Sequence, residues 1–184
     1  MSVAESSQKL KMGARAPDFN LIGVDGKFHS LEEFGEGRAL VVIFMCNHCP
    51  YVLSKLSTIK KLHATYSPKE VAFVAINSNN NPEYPDDSYE KMKEFAQKNQ
   101  LKFQYLFDDS QETAKQYGAE CTPDPFVFDA DLRLVYHGRF DDATSPELTP
   151  TTHDMNDALD AVLVGSLPKG KFLPSRGCSI KWKN

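Results

Sequence analysis

The stretch Ala39-Leu-Val-Val-Ile-Phe-Met-Cys46-Asn-His-Cys49-Pro-Tyr-Val52 decides the fold. Ala39 to Met45 is continuously apolar and rich in β-branched residues, the pattern of a central strand buried on both faces. Pro50 follows Cys49 directly, and proline is favoured in the first turn of a helix. Val52, Leu56, Ile59 and Leu62 then recur at helical spacing, so residues 50–66 read as an amphipathic helix. The two cysteines of Cys46-Asn47-His48-Cys49 therefore fall where a buried strand passes into a helix.

Outward from that junction, strands and helices alternate. On the N-terminal side, Asp18 to Ile22 and Lys27 to Ser30 flank the turn signal Val24-Asp25-Gly26 and read as a short hairpin. Residues 1–12 read as a flexible polar arm. On the C-terminal side, Val71 to Ile76 is a second buried strand, and Asn77 to Asp87 is a polar loop. Ser88 to Asn99 is a helix, Phe103 to Phe107 a short strand, and Ser110 to Tyr117 a helix that Gly118 ends. Pro125 to Phe128 and Leu132 to Tyr136 form a hairpin through Asp129-Ala130-Asp131. His153 to Val164 is the last helix. The predicted architecture is α/β: a mixed sheet with helices on both faces, an N-terminal hairpin extension and a C-terminal tail over 165–184. One domain spans 13–164.

Composition sets the class. The chain has 184 residues, 41% hydrophobic and 25% charged, ordinary values for a soluble globular protein able to bury a core without disulfide staples. A net charge of -4 and a pI near 5.7 give no electrostatic case for binding nucleic acid or an acidic membrane. The opening MSVAESSQKLKMG lacks the apolar run of a secretory signal, and no stretch approaches a membrane span. The expected location is cytoplasmic. Four cysteines are too sparse for a disulfide scaffold, so in a reducing compartment they read as catalytic or metal-binding.

The junction suits thiol chemistry. First-turn amides and the helix dipole lie beside Cys49 and favour its thiolate, the nucleophile in disulfide exchange and in attack on peroxide. A second thiol three residues away, Cys46, can capture the oxidised form as a disulfide. A protonated His48 would lower the thiol pKa further. Two other readings stand beside this one. The pair can be small buried hydrophobes. It can also be a zinc half-site completed by Cys121, Cys178 or His48, although no second CxxC or spaced His pair accompanies it.

These segments resemble the thioredoxin-like superfamily, specifically its peroxiredoxin-like branch related to alkyl hydroperoxide reductase and thiol-specific antioxidant proteins. The likeness rests on Gly13-Ala14-Arg15-Ala16-Pro17-Asp18-Phe19, Asp25-Gly26-Lys27, Ser30-Leu31-Glu32-Glu33-Phe34, Phe44 to Val52, Cys121 to Asp129, and the tail Gly177 to Trp182. It implies a thioredoxin-like fold and no cofactor. Counted from Phe44 and from the helix end near Tyr66, Cys49 takes the attacking position of both thioredoxins and peroxiredoxins. Cys46 departs from both patterns, standing where a peroxiredoxin carries Thr or Ser. The loss of that hydroxyl weakens the case for fast peroxidase chemistry. Arg139 is the candidate for the peroxiredoxin-like arginine. Thr122-Pro123 resembles the cis-proline element that faces the nucleophile and docks the partner's backbone.

The resemblance assigns catalysis to Cys49, Cys46, His48, Thr122 and Pro123. Cys121 and Cys178 are possible resolving thiols. Cys121 reads equally as a buried filler, and Cys178 as an inert residue packed beside Trp182. Asp141 and Asp142 are expected to be solvated loop acids. The expected partners are a protein disulfide or hydroperoxide substrate and a thioredoxin- or glutathione-type reductant, with no metal, nucleic acid or membrane. The oligomeric state is left open, a homodimer among the options. The alternatives in other classes are a zinc- or copper-handling module using Cys46, Cys49 and Cys121, and a redox sensor with little turnover.

Overall fold

In the computed structural model, which describes residues 2–183, the Ala39–Met45 run becomes strand β4 (Ala39–Phe44), and every residue of it is buried. Successive side chains of a strand point to opposite faces, and β4 divides accordingly. Ala39, Val41 and Ile43 join one cluster with Val52, Leu56, Ile59 and Leu62 of helix α1 (Pro50–Tyr66), Met92 and Phe95 of α2 (Tyr89–Asn99), and Met155 and Leu159 of α4 (Asp154–Leu163). Leu40, Val42 and Phe44 join the other with Phe126, Phe128, Ala114 and Tyr117, the last two from α3 (Glu112–Tyr117). A strand buried on both sides has no polar face to alternate with, which is why its sequence is an unbroken apolar run.

The sheet has seven strands in the order β3-β2-β6-β5-β4-β8-β9. They are β2 (Asn20–Gly23), β3 (Phe28–Ser30), β5 (Val71–Asn77), β6 (Gln104–Phe107), β8 (Asp124–Asp129) and β9 (Leu134–His137), with β4 between β5 and β8. β4, β5 and β6 run parallel, joined by helical crossovers as parallel pairing requires. β2 and β8 flank them antiparallel, so the sheet is mixed as expected. Helix and strand limits differ from the sequence expectation by a residue or two at most ends. Gly118 does end α3, adopting φ 71.

Both termini form strands. Residues 1–12 are not a loose arm throughout: Val3–Glu5 is strand β1. Within the 165–184 tail, Arg176–Ser179 is strand β10. A second, three-stranded sheet follows, in the order β1-β10-β7, with β7 being Cys121–Thr122. Each terminal segment is too short and polar to read as a strand alone. Each exists because its neighbour's backbone supplies the hydrogen bonds.

The register of β4 against β8 positions the site. Ala39 lies opposite Asp129 and Phe44 opposite Asp124, so the end of β4 meets the residue just after Thr122-Pro123. The cysteine-bearing turn and the proline turn must therefore converge at one corner of the sheet.

Candidate active site

Cys49 is the N-cap of α1, with extended φ/ψ of -67 and 123, and Pro50 opens the helix. The Thr122-Pro123 peptide is cis. The Cys49 Sγ lies 3.3 Å from the Thr122 carbonyl oxygen, and the Cys46 Sγ lies 3.3 Å from Thr122 Oγ1. Cys46, Cys49, Thr122 and Pro123 are thus brought together.

Cys178, the fourth cysteine in the chain, completes the group. On β10 it pairs opposite Thr122, and its Sγ is 2.7 Å from that of Cys49. The expected packing of Cys178 beside Trp182 gives way to packing against Cys49. Trp182 is partly exposed and holds Asn81 through its carbonyl instead. Three sulfurs converge on one spot, and each is nearly or fully buried: Cys46 and Cys49 are 0% exposed and Cys178 is 3% exposed.

The electrostatics separate the three. Contact with the Cys46 thiol, above all, lowers the Cys49 pKa to about 5, against the opposing effect of burial. The Cys178 thiol and the backbone amides of Val52 and Cys178 add to the lowering. Val52 is the third residue of α1, so the helix start contributes as the sequence implied, although it is not the largest cause. The proton that Cys46 shares with Cys49, together with burial and the nearby Asp87 charge, pushes Cys46 well up. Burial first, then Cys49, pushes Cys178 up to about 12. At neutral pH the arrangement is one thiolate held between two protonated thiols.

His48 departs from its expected role. Its Nδ1 sits 2.6 Å from Asp87 Oδ2, an ion-pair distance with the ring out of line for a hydrogen bond, and the ring stacks on Tyr84. It is turned to Asp87 and is not among the leading influences on Cys49. Cys121 is the other candidate resolving thiol. It is fully buried, its thiol points to the Ser175 carbonyl at 3.8 Å, and burial pushes its pKa well up. Arg139 donates to Asp154 Oδ2 at 3.0 Å. Asp141 is buried against Lys55 rather than solvated, while Asp142 accepts from the Thr151 and Thr152 amides.

Asp87 is the functional residue that sequence reasoning missed. Fully buried, it accepts from the Asn47 amide at 2.8 Å and from Asn79 Nδ2 at 2.7 Å, and Asn77 Nδ2 donates to its carbonyl. Asn47 in turn accepts from the Tyr105 hydroxyl at 2.9 Å. The turn between the two cysteines is therefore clamped by a buried polar network. The signal was the density of Asn and Asp immediately after a buried strand, and the expectation of a plain polar loop gave it no structural task. Ligand atoms of Cys46, His48 and Asp87 lie within 4.8 Å of one another. Cys49 and Cys121 stand outside that group.

Comparison with known proteins agrees with this picture. A family model described as Redoxin matches residues 11–159. The thiol-disulfide oxidoreductase ResA of Bacillus thuringiensis subsp. konkukian is 25% identical over 128 residues, covering 70% of this chain and 69% of ResA. The crystal structure of an uncharacterized conserved protein from Geobacillus kaustophilus superposes with a TM-score of 0.94 at 45% identity, covering 100% of this chain and 97% of that one. At the level of fold alone, peroxidoxin BcpB from Mycobacterium tuberculosis gives a TM-score of 0.63 at 20% identity, covering 84% of this chain and 97% of that one. With the mixed sheet, the helix-capping cysteine and the facing cis-proline already in place, the match over most of its length means that this chain belongs to the Redoxin family and has its thioredoxin-like fold.

Proposed function

We propose that this thiol-dependent oxidoreductase acts on protein disulfides, with Cys49 as the attacking thiol and Cys46 as the resolving one. The observation that carries the proposal is the placement of Cys49 at the cap of α1 against the cis Thr122-Pro123 turn, beside a second thiol fixed in the core. The Cys49 thiolate attacks one sulfur of the substrate, forming a mixed disulfide and expelling the other sulfur as a thiolate. Cys46 then gives up its proton, attacks the Cys49 sulfur and releases the second substrate thiol. The two enzyme thiols are oxidised to a disulfide and the substrate disulfide is reduced. Consumption of the Cys49 thiolate removes the largest influence holding the Cys46 proton in place. A dithiol or glutathione-type reductant returns the electrons, and the setting is the reducing cytoplasm. Disulfides are favoured over hydroperoxides because Cys46 stands three residues before Cys49, where the likeness calls for a hydroxyl.

Insulin reduction and peroxide consumption by the wild type and Cys49→Ser test the assignment. The expected result is loss of disulfide reduction in the variant. Undiminished activity would remove Cys49 from the mechanism. The grouping of Cys46, His48 and Asp87 favours a second reading, a bound metal. Elemental analysis of protein purified without added metal distinguishes it, because stoichiometric metal with unreactive thiols would displace the enzymatic reading.

A further inference from the structure

We propose that the C-terminal strand β10 occupies the groove in which substrate docks, so that an extended cysteine-containing polypeptide with glycine before its reacting cysteine binds by taking the strand's place. The inference rests on Cys49 being the attacking thiol.

Position is the first ground. Cys178 pairs opposite Thr122 and Ser179 opposite Cys121, with a further backbone bond from the Ile180 amide to the Glu120 carbonyl at 3.0 Å. This is an added antiparallel strand, a recurring way to bind an extended peptide. It delivers a sulfur to within 2.7 Å of the Cys49 sulfur. A substrate sulfur must reach the same place to be attacked, and Cys178 fills it.

Fit is the second ground. A Cβ added at Gly177 would lie 1.9 Å from the Thr122 carbonyl oxygen and 2.6 Å from its carbon. Both are backbone atoms of the proline turn, so they have no side-chain freedom with which to yield. The groove accepts no side chain on the residue before the cysteine, and a polypeptide docking in the same pose meets the same wall.

Closure is the third ground. Cys49 is 0% exposed beneath this strand, and a thiolate without solvent access cannot meet a protein disulfide. The strand must leave first, giving up its ladders with β7 on one side and β1 on the other. Residues between Leu163 and Arg176 form no regular element, and Val164 and Leu167 lie on the surface. An incoming strand seated between β7 and β1 remakes the ladder bonds that β10 gives up, which offsets most of the backbone cost of the exchange.

The test uses the full-length reduced protein and a peptide disulfide. The peptide Ser-Arg-Gly-Cys-Ser-Ile, copied from residues 175–180, carries 5-thio-2-nitrobenzoate on its cysteine. The Cys49 thiolate forms a bond to the peptide sulfur, the existing S–S bond breaks, and the coloured thiolate leaves with the electron pair. The wild type is expected to react at least about tenfold faster with this peptide than with one carrying Val in place of Gly, a difference of about 1.4 kcal/mol. Equal rates for the two peptides would overturn the proposal. As a second arm, iodoacetamide labelling of Cys49, read by mass spectrometry, is expected to be at least about tenfold faster in Gly177→Val than in the wild type. A wild-type Cys49 labelled as fast as in Gly177→Val would show that β10 covers nothing. Peptide turnover that persists in Cys49→Ser would instead overturn the assignment of the attacking thiol, whereas turnover that depends on Cys49 but not on the glycine would overturn the groove alone.

Discussion

Replacing Cys49 by Ser should make the stability difference from the reduced wild type depend on pH, with a slope set by one proton. The Cys49 pKa falls from about 9 in an unconstrained thiol to about 5 in the fold. Because the folded value is the lower one, the stabilisation is fully present above about pH 9, declines as pH falls, and is gone below about pH 5. Between those limits each pH unit is worth about 1.4 kcal/mol, so the thiolate contributes about 3 kcal/mol at pH 7. Cys46 and Cys178, both pushed up, keep their protons in folded and unfolded chains over this range and cancel. Any packing effect of the substitution is constant with pH and shifts the line without tilting it. Urea unfolding under reducing conditions, in steps from about pH 5 to about pH 8, gives the two stabilities. Their difference should widen by about 1.4 kcal/mol per unit. A difference that stays flat across the window would refute the claim that Cys49 is ionised in the fold.

Two further substitutions probe the surroundings of that sulfur. Thr122→Val removes the hydroxyl 3.3 Å from the Cys46 sulfur, which favours the Cys46 thiolate. Loss of about 1 kcal/mol there should slow the release of a trapped mixed disulfide about fivefold in a single-turnover experiment, with initial attack by Cys49 unchanged. Asp87→Ala leaves the Asn47 amide and the Asn79 side chain without their buried acceptor, at a cost of about 1–3 kcal/mol for each group. Its urea midpoint should fall, and the Cys46–Cys49 turn should become more open to proteolysis.

Much of this was legible because it is periodic. The run from Ala39 to Phe44 announces a strand with two buried faces, and Val52, Leu56, Ile59 and Leu62 announce the helix that covers one of them. Pro50 fixes the frame, so the placement of Cys49 at the helix cap follows from local rules alone. The pairing of Cys178 with Cys49 does not. It joins residues 129 positions apart through a strand of four residues whose sequence, with a glycine before the cysteine, carries no strand pattern. Nothing local distinguishes that glycine from a loop glycine. Its meaning appears only when the Thr122 carbonyl is set beside it. Asp87 was hidden for a related reason. A buried carboxylate needs several donors, and those donors come from Asn47 and Asn79, brought together by the parallel pairing of β4 and β5.

The low pKa of Cys49 has two sources, and they do not share a fate. Cys46 and the Val52 amide belong to the strand-helix junction and stay with the sulfur in any state. The Cys178 thiol and its amide belong to the tail strand and depart with it. A thiolate's intrinsic nucleophilicity falls as its pKa falls, and the most effective attacking thiol has a pKa near the ambient pH. In the closed arrangement Cys49 is ionised, covered and over-stabilised. Under the proposed opening, the Cys178 donors that lower its pKa and part of the burial that raises it are removed together, while solvent and substrate gain access. The same displacement would therefore expose the sulfur and leave Cys46, the largest influence on its ionisation, as the one thiol still in contact to complete the exchange.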